Sequence, residues 1–128
     1  MTQRKLFSSS TQWEEAVGYS RAVKVGNVIE VSGTTAVDGE KVIGNGDVYA
    51  QTVFIFQKIE KVLIEADSSL KDVVRTRMYV TDISKWKEIG EAHALFFKEI
   101  KPATSMVEVR RLINEKLLIE IEVSAVIS

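Results

Sequence analysis

Residues 19–33 read YSRAVKVGNVIEVSG, two β-prone runs separated by Gly26 and Asn27. The runs cover residues 19–25 and 28–33, and valine or isoleucine alternates with polar residues in both. A Gly-Asn pair in that setting predicts an antiparallel hairpin with a two-residue type II′ turn, Gly26 taking the positive φ that a side chain resists. The register then pairs Val25 with Val28, Arg21 with Ser32 and Tyr19 with Thr34, and puts the last four side chains on one face. The rest of the chain has to pack against this sheet.

Working outward, Asp38-Gly39 predicts a second turn, between residues 34–37 and 40–43. Beyond Asp47 the period changes. Tyr49, Val53, Phe56, Ile59, Leu63 and Ala66 recur at steps of three and four, one face of a helix for which Asp47 is the N-cap. Residues 73–80 read as a strand with Val74, Thr76, Met78 and Val80 on one side and Arg75, Arg77 and Tyr79 on the other. Ser84 is the expected cap of a second helix, striped by Trp86, Ile89, His93, Phe96 and Ile100 and closed by Pro102. Trp86, Phe96 and Phe97 are expected in the core. Residues 104–111 and 117–127 supply two final strands.

The order is two or three antiparallel strands, helix, strand, helix, two strands. It predicts one α+β domain over residues 1–128, with both helices on one face of the sheet. Ile29, Val31, Met78, Val80, Val107, Val109, Ile119, Ile121 and Val123 fit the helix-covered face. The other face carries Arg21, Glu30, Arg75, Arg77, Glu108, Arg110, Glu120 and Glu122 together with Tyr19, Val23, Val28, Met106 and Leu118. Open solvent and an oligomer interface with a partly wet interior both suit that mixture, and the pattern leaves the two open.

Composition narrows the function classes. A net charge of −1 with basic and acidic residues interleaved gives no reason to expect nucleic-acid or anionic-membrane partners. The absence of cysteine removes disulfides, thiol nucleophiles and thiolate metal sites, and a single histidine makes a transition-metal site improbable, so no cofactor is expected. The first ten residues lack an apolar signal core, and no apolar run is long enough to span a bilayer, so the expected location is cytoplasmic. His93, on an apolar stripe, reads as a packed, hydrogen-bonded residue. No histidine accompanies Ser32 in any motif, so a Ser-His-Asp triad has no support, and Gly44-Asn45-Gly46 reads as a loop.

Three segments carry a resemblance. Gly18-Tyr19-Ser20-Arg21-Ala22-Val23 with Val25-Gly26-Asn27 and Val31-Ser32-Gly33 is similar to the N-terminal signature of the RidA/YjgF family. Residues 75–82, RTRMYVTD, resemble its middle strand. Pro102-Ala103-Thr104-Ser105-Met106-Val107-Glu108-Val109 followed by Ile119-Glu120-Ile121-Glu122 resembles its C-terminal hairpin. The resemblance covers nearly the whole chain and implies a chorismate-mutase-like mixed sheet, a homotrimer, and a small-molecule pocket between subunits. In deaminating members an arginine grips the carboxylate of a 2-imino acid, and a glutamate orients the water that attacks the imine.

Residue by residue, the resemblance assigns Tyr19 to the pocket, Ser32 and Gly33 to the Ser-Gly segment and Glu120 to the water-orienting position. Thr104 stands where the arginine belongs, Met106 where many members have cysteine, and Gly90 where deaminases commonly have asparagine. Threonine has no charged, forked donor, so turnover of 2-iminobutanoate is expected to be weak. By strand pairing, Arg21 is the candidate substitute and Arg77 the reserve. The alternative is that both pair across strands with Glu30, Glu108 or Glu120. Two functions follow as expectations. One is imine or enamine hydrolysis with Glu120 as the catalytic group and Tyr19, Arg21, Ser32, Gly33, Arg77, Thr104 and Met106 around the substrate. The other is a non-catalytic metabolite-binding trimer. Ribonuclease or translation inhibition, claimed for relatives, is disfavoured by the charge pattern.

Overall fold

The computed structural model describes residues 3–9 and 11–128. The hairpin forms as its turn dictates: β2 (Ala22–Val25) pairs antiparallel with β3 (Val28–Thr35), Val25 opposite Val28, and Gly26 has a φ of 61°. β1 (Arg4–Phe7) adds to the outer side of β2, and α1 (Gln12–Val17) links them. β4 (Val37–Asp38) and β5 (Lys41–Val42) make a small separate ribbon whose turn residues are Gly39, at φ 65°, and Glu40, one position later than the sequence implies.

α2 (Val48–Glu65) starts at Asp47, whose carboxylate accepts from the Ala50 amide. Its buried stripe is Val48, Gln51, Thr52, Ile55, Phe56, Ile59 and Leu63, so the helix is rotated from the expected stripe and Tyr49 is exposed. The reason is Gln51. Its Nε2 donates to the carbonyls of Gly44 (3.2 Å) and Lys116 (2.9 Å), and its Oε1 accepts from the Leu118 amide (2.8 Å). A fully satisfied polar side chain is admitted to the core and ties two loops to the helix. Gln51→Met, which fills the space but leaves these groups unpaired, is expected to cost about 1–3 kcal/mol in urea unfolding.

β6 (Val73–Val80) follows a short 3₁₀ turn (Leu70–Asp72), and α3 (Trp86–Phe97) follows another (Ile83–Lys85). Asp82, and not Ser84, caps this second segment, accepting from the Ser84 amide and hydroxyl. α3 ends at Phe97, and Lys101 takes a φ of 55° just before Pro102. Trp86 is 55% exposed, so of the expected aromatic core only Phe97 is fully inside, with Phe96 packed against it.

β7 (Ala103–Glu108) and β8 (Ile119–Val126) do not form a hairpin with each other. The six-stranded sheet runs β1-β2-β3-β8-β6-β7, with β7 parallel to β6 and β8 antiparallel to both β3 and β6. The crossover through α3 returns the chain parallel, as a helix lying on a sheet does. β8 takes the centre because Ile119, Ile121, Val123 and Ala125 all bury completely against the helices.

Two bulges shift the face assignments. One, between Val31 and Thr34 on β3, turns Thr34 into the core and away from Tyr19 and Arg21. The other, between Val73 and Arg75, buries Val73 and leaves Val74 47% exposed. β7 has the opposite phase from the expected one. Thr104 lies beside Thr76 and Met106 beside Met78 on the helix side, while Val107 is exposed. Met106 and Leu118 pack against the core and do not belong to the open face, and Val109 is only half-buried. No helix among the described residues is long and apolar enough to cross a membrane.

Candidate functional site

The bulge in β3 organises the first cluster. It frees the Gly33 carbonyl, which accepts from Arg21 Nη2 at 2.6 Å, and the Ser32 hydroxyl donates to the Ser20 carbonyl at 2.6 Å. Tyr19 lies with its ring centroid 5.9 Å from the Arg21 guanidinium carbon. Arg21 Nε is buried without a partner. The Glu120 carboxylate rests on Gly33: a Cβ there would overlap it, reaching its Cδ at 2.9 Å. Glycine at 33 therefore lets the Glu120 carboxylate sit where it does, through close approach and not through backbone angle.

Glu120 makes no hydrogen bond among the described residues, and its surroundings hold its pKa above the ordinary carboxylate value of 4.5. Burial is the main cause and the neighbouring Glu122 carboxylate adds to it, with the Arg21 charge working the other way. Lys58, half-buried at the same end of the sheet, donates to the Val37 carbonyl at 2.8 Å, and burial and the Arg21 charge lower its pKa. The cluster thus holds a carboxyl group with unused acceptors beside a guanidinium that stabilises its charged form. That is a suitable arrangement for holding and polarising water.

The cross-strand ion pairs weighed from the sequence are absent: among the described residues the only pair within 4.0 Å is Lys85–Glu88, at 3.6 Å. Glu30 instead accepts from Ser124, Glu108 from the Ile83 amide, and Glu122 from the Tyr79 hydroxyl at 2.8 Å. Arg77 stands half-buried on the open face between Glu122 and Ser105 in the register.

Thr104 and Met106 are not part of this cluster. They face the helix side of the edge strand β7, whereas Glu120 faces the open side of β8. The Thr104 hydroxyl lies 2.5 Å from that of Thr76, which lies 2.9 Å from His93 Nε2. This link was hidden from the sequence, since its three members come from three elements and only the phase of β7 brings them together. The concavity of about 480 Å³ lined by Glu40, Lys41, Asn45, Asn114, Glu115 and Lys116 holds none of the predicted site residues.

The same arrangement of elements recurs in known proteins. The family described as Endoribonuclease L-PSP matches residues 10–127. A crystal structure from Mycobacterium tuberculosis, described as a member of the highly conserved YjgF/YER057c/UK114 family, is 49% identical. It covers 98% of this chain and 100% of its own, with a TM-score of 0.89. The chain belongs to this family. Other relatives of this chain include a RutC family protein of Pyrococcus abyssi, 41% identical over 108 residues and 84% of each chain. An uncharacterised protein of Streptomyces coelicolor is 33% identical over 117 residues, 91% of this chain and 87% of its own.

Proposed function

We propose that the chain assembles as a homotrimer whose subunit interfaces hold a small-molecule pocket, and that this pocket hydrolyses imine or enamine metabolites with release of ammonia. The observation that carries this reading is Glu120: a half-buried carboxyl group, without a hydrogen bond among the described residues, seated on Gly33 and next to Arg21. Its carboxylate holds the water and takes a proton as that water adds to the imine carbon. The same carboxylate passes that proton to the imine nitrogen, and the tetrahedral carbinolamine collapses to a carbonyl as its hydroxyl proton follows to the nitrogen, which leaves as ammonia.

The placement of Thr104 supports a site completed by a second copy. Within one chain Thr104 and Met106 occupy the opposite side of the sheet from Tyr19, Arg21, Ser32, Gly33 and Glu120. The open face also presents Tyr19, Val28, Val107 and Val126, all exposed, together with Arg77 and Glu120, which have no ion pair among the described residues. Such a mixture fits an interface with a wet interior. Arg21 and Arg77 line the pocket wall in this reading. Arg21 already gives one amino group to the Gly33 carbonyl and tempers the Glu120 charge. The family description names an endoribonuclease, but a net charge of −1 with no basic stripe offers little to track a phosphate backbone, and we do not assign that activity.

The test is to supply imines from an amino-acid oxidase or dehydratase and follow ammonia release with and without the protein. Acceleration across a panel of side chains is the expected result. No acceleration with any imine would leave the metabolite-binding trimer as the better account.

A further inference from the structure

Thr104 is exposed on the edge strand β7, yet its hydroxyl is tied inward to Thr76 Oγ1 at 2.5 Å. Thr76 is fully buried, and the same oxygen lies 2.9 Å from His93 Nε2. His93 packs against Phe56 and Phe97, with ring centroids 5.5 Å and 4.7 Å away. α3, β6 and β7 therefore meet on one hydrogen-bonded chain, which leads from an aromatic interior that α2 helps to build, through Phe56, to the strand edge. Burial lowers the His93 pKa, which favours the neutral imidazole, and no charged side chain among the described residues bonds to any of the three. Gly90 lies one turn before His93, and a Cβ there would meet nothing within 4 Å. A glycine inside a helix costs about 0.5–1 kcal/mol relative to alanine, and packing within the chain does not demand it. Its effect is to leave the surface beside this chain open.

Each hydroxyl carries one proton, so the chain has two states. With Nε2 accepting, Thr76 donates to His93, Thr104 donates to Thr76, and Thr104 turns lone pairs outward. With Nε2–H donating to Thr76, Thr76 donates to Thr104, whose own proton turns outward. In both states Thr104 offers a single uncharged hydrogen-bonding function whose direction His93 sets.

We propose that this chain selects the ligand: Thr104 contacts it, His93 and Thr76 position the Thr104 proton, and the group held there is an uncharged carbonyl, amide or hydroxyl, not a carboxylate. This rests on the pocket proposed above and names its substrate class. A carboxylate taken out of water needs a charged partner or several donors, and one hydroxyl proton is neither. Arg75, on the neighbouring strand, donates to Ser105 at 3.1 Å on the opposite face and does not serve Thr104.

Two probes of similar size test it, 2-oxobutanamide and 2-oxobutanoate, titrated into the whole protein with the ¹⁵N signals of the histidine ring as readout. His93 is the only histidine, so those signals are its own. The amide is expected to bind about fivefold or more tightly than the acid, the worth of one net hydrogen bond, and to move the ring nitrogens toward one tautomer. Thr104→Val keeps the shape and should abolish the preference, while Thr104→Ser should retain it. Thr76→Val leaves Thr104 in place but should remove the ring response, which a merely structural histidine would never have shown. Equal or tighter binding of 2-oxobutanoate overturns the proposal, as does amide binding that leaves the ring unmoved. If neither probe binds while imines are still hydrolysed, the ligand class is wrong and the pocket stands. If neither binds and no imine is hydrolysed, the pocket itself fails and this proposal with it.

Discussion

Glu120→Gln is expected to reduce ammonia release from a supplied imine by about 10²–10⁴-fold, the usual contribution of a positioned general base. The glutamine keeps the shape over Gly33 but cannot take a proton from water. In the unmodified protein the activity should fall as pH drops through the raised pKa of Glu120, because the working form is the carboxylate. The stability effect runs the other way. A carboxyl group whose folded pKa is raised stabilises the fold most below its ordinary value of 4.5, and that contribution is lost as pH rises through the folded value. Glu120→Gln should therefore not lower stability at neutral pH. Gly33→Ala is the companion variant: it displaces the carboxylate without removing it, and a comparable loss of turnover is expected. Undiminished turnover in both variants would remove Glu120 from the chemistry.

Turnover of 2-iminobutanoate is expected to be weak, roughly 10–150-fold below that of an arginine-bearing relative. That figure corresponds to about 1.5–3 kcal/mol for a charged hydrogen bond missing in the transition state. Thr104→Arg should recover part of it. The recovery is bounded by the hydroxyl pair of Thr76 and Thr104, which the arginine would break, and by Met106, two residues along on the same face of β7. Parallel rate measurements on the two proteins with enzymatically generated imine decide the matter. Equal rates would mean that another group holds the carboxylate.

Much of this was legible in the residues because local chemistry decided it. Gly26-Asn27 determined the hairpin and its register, Asp47 the start of α2, and the alternation of Ile119, Ile121 and Val123 the buried face of β8. What escaped depended on contacts between distant segments. The bulge after Val31 turned Thr34 inward, and no pattern in residues 28–35 announces an extra residue. β7 carries two adjacent apolar residues, Met106 and Val107, which support either phase, and only its parallel pairing with β6 put Thr104 and Met106 against the helices. Gln51 reads as a surface residue of an amphipathic helix until the carbonyls of Gly44 and Lys116 are seen to reach it. The Arg21 and Glu120 cluster was half visible: strand pairing brought Arg21 beside Ser32, but the contact of Glu120 with Gly33 crosses to a strand 85 or more residues away in sequence.

The central claim is that the site is completed between copies of the chain, since one copy leaves Thr104 and Glu120 on opposite sides of its sheet. Sedimentation velocity at micromolar concentration, run on the same sample assayed for ammonia release, tests this most directly. The account predicts a single species of three times the 14.3 kDa chain mass carrying the activity. A monomer of 14.3 kDa that hydrolyses imines at full rate would contradict it.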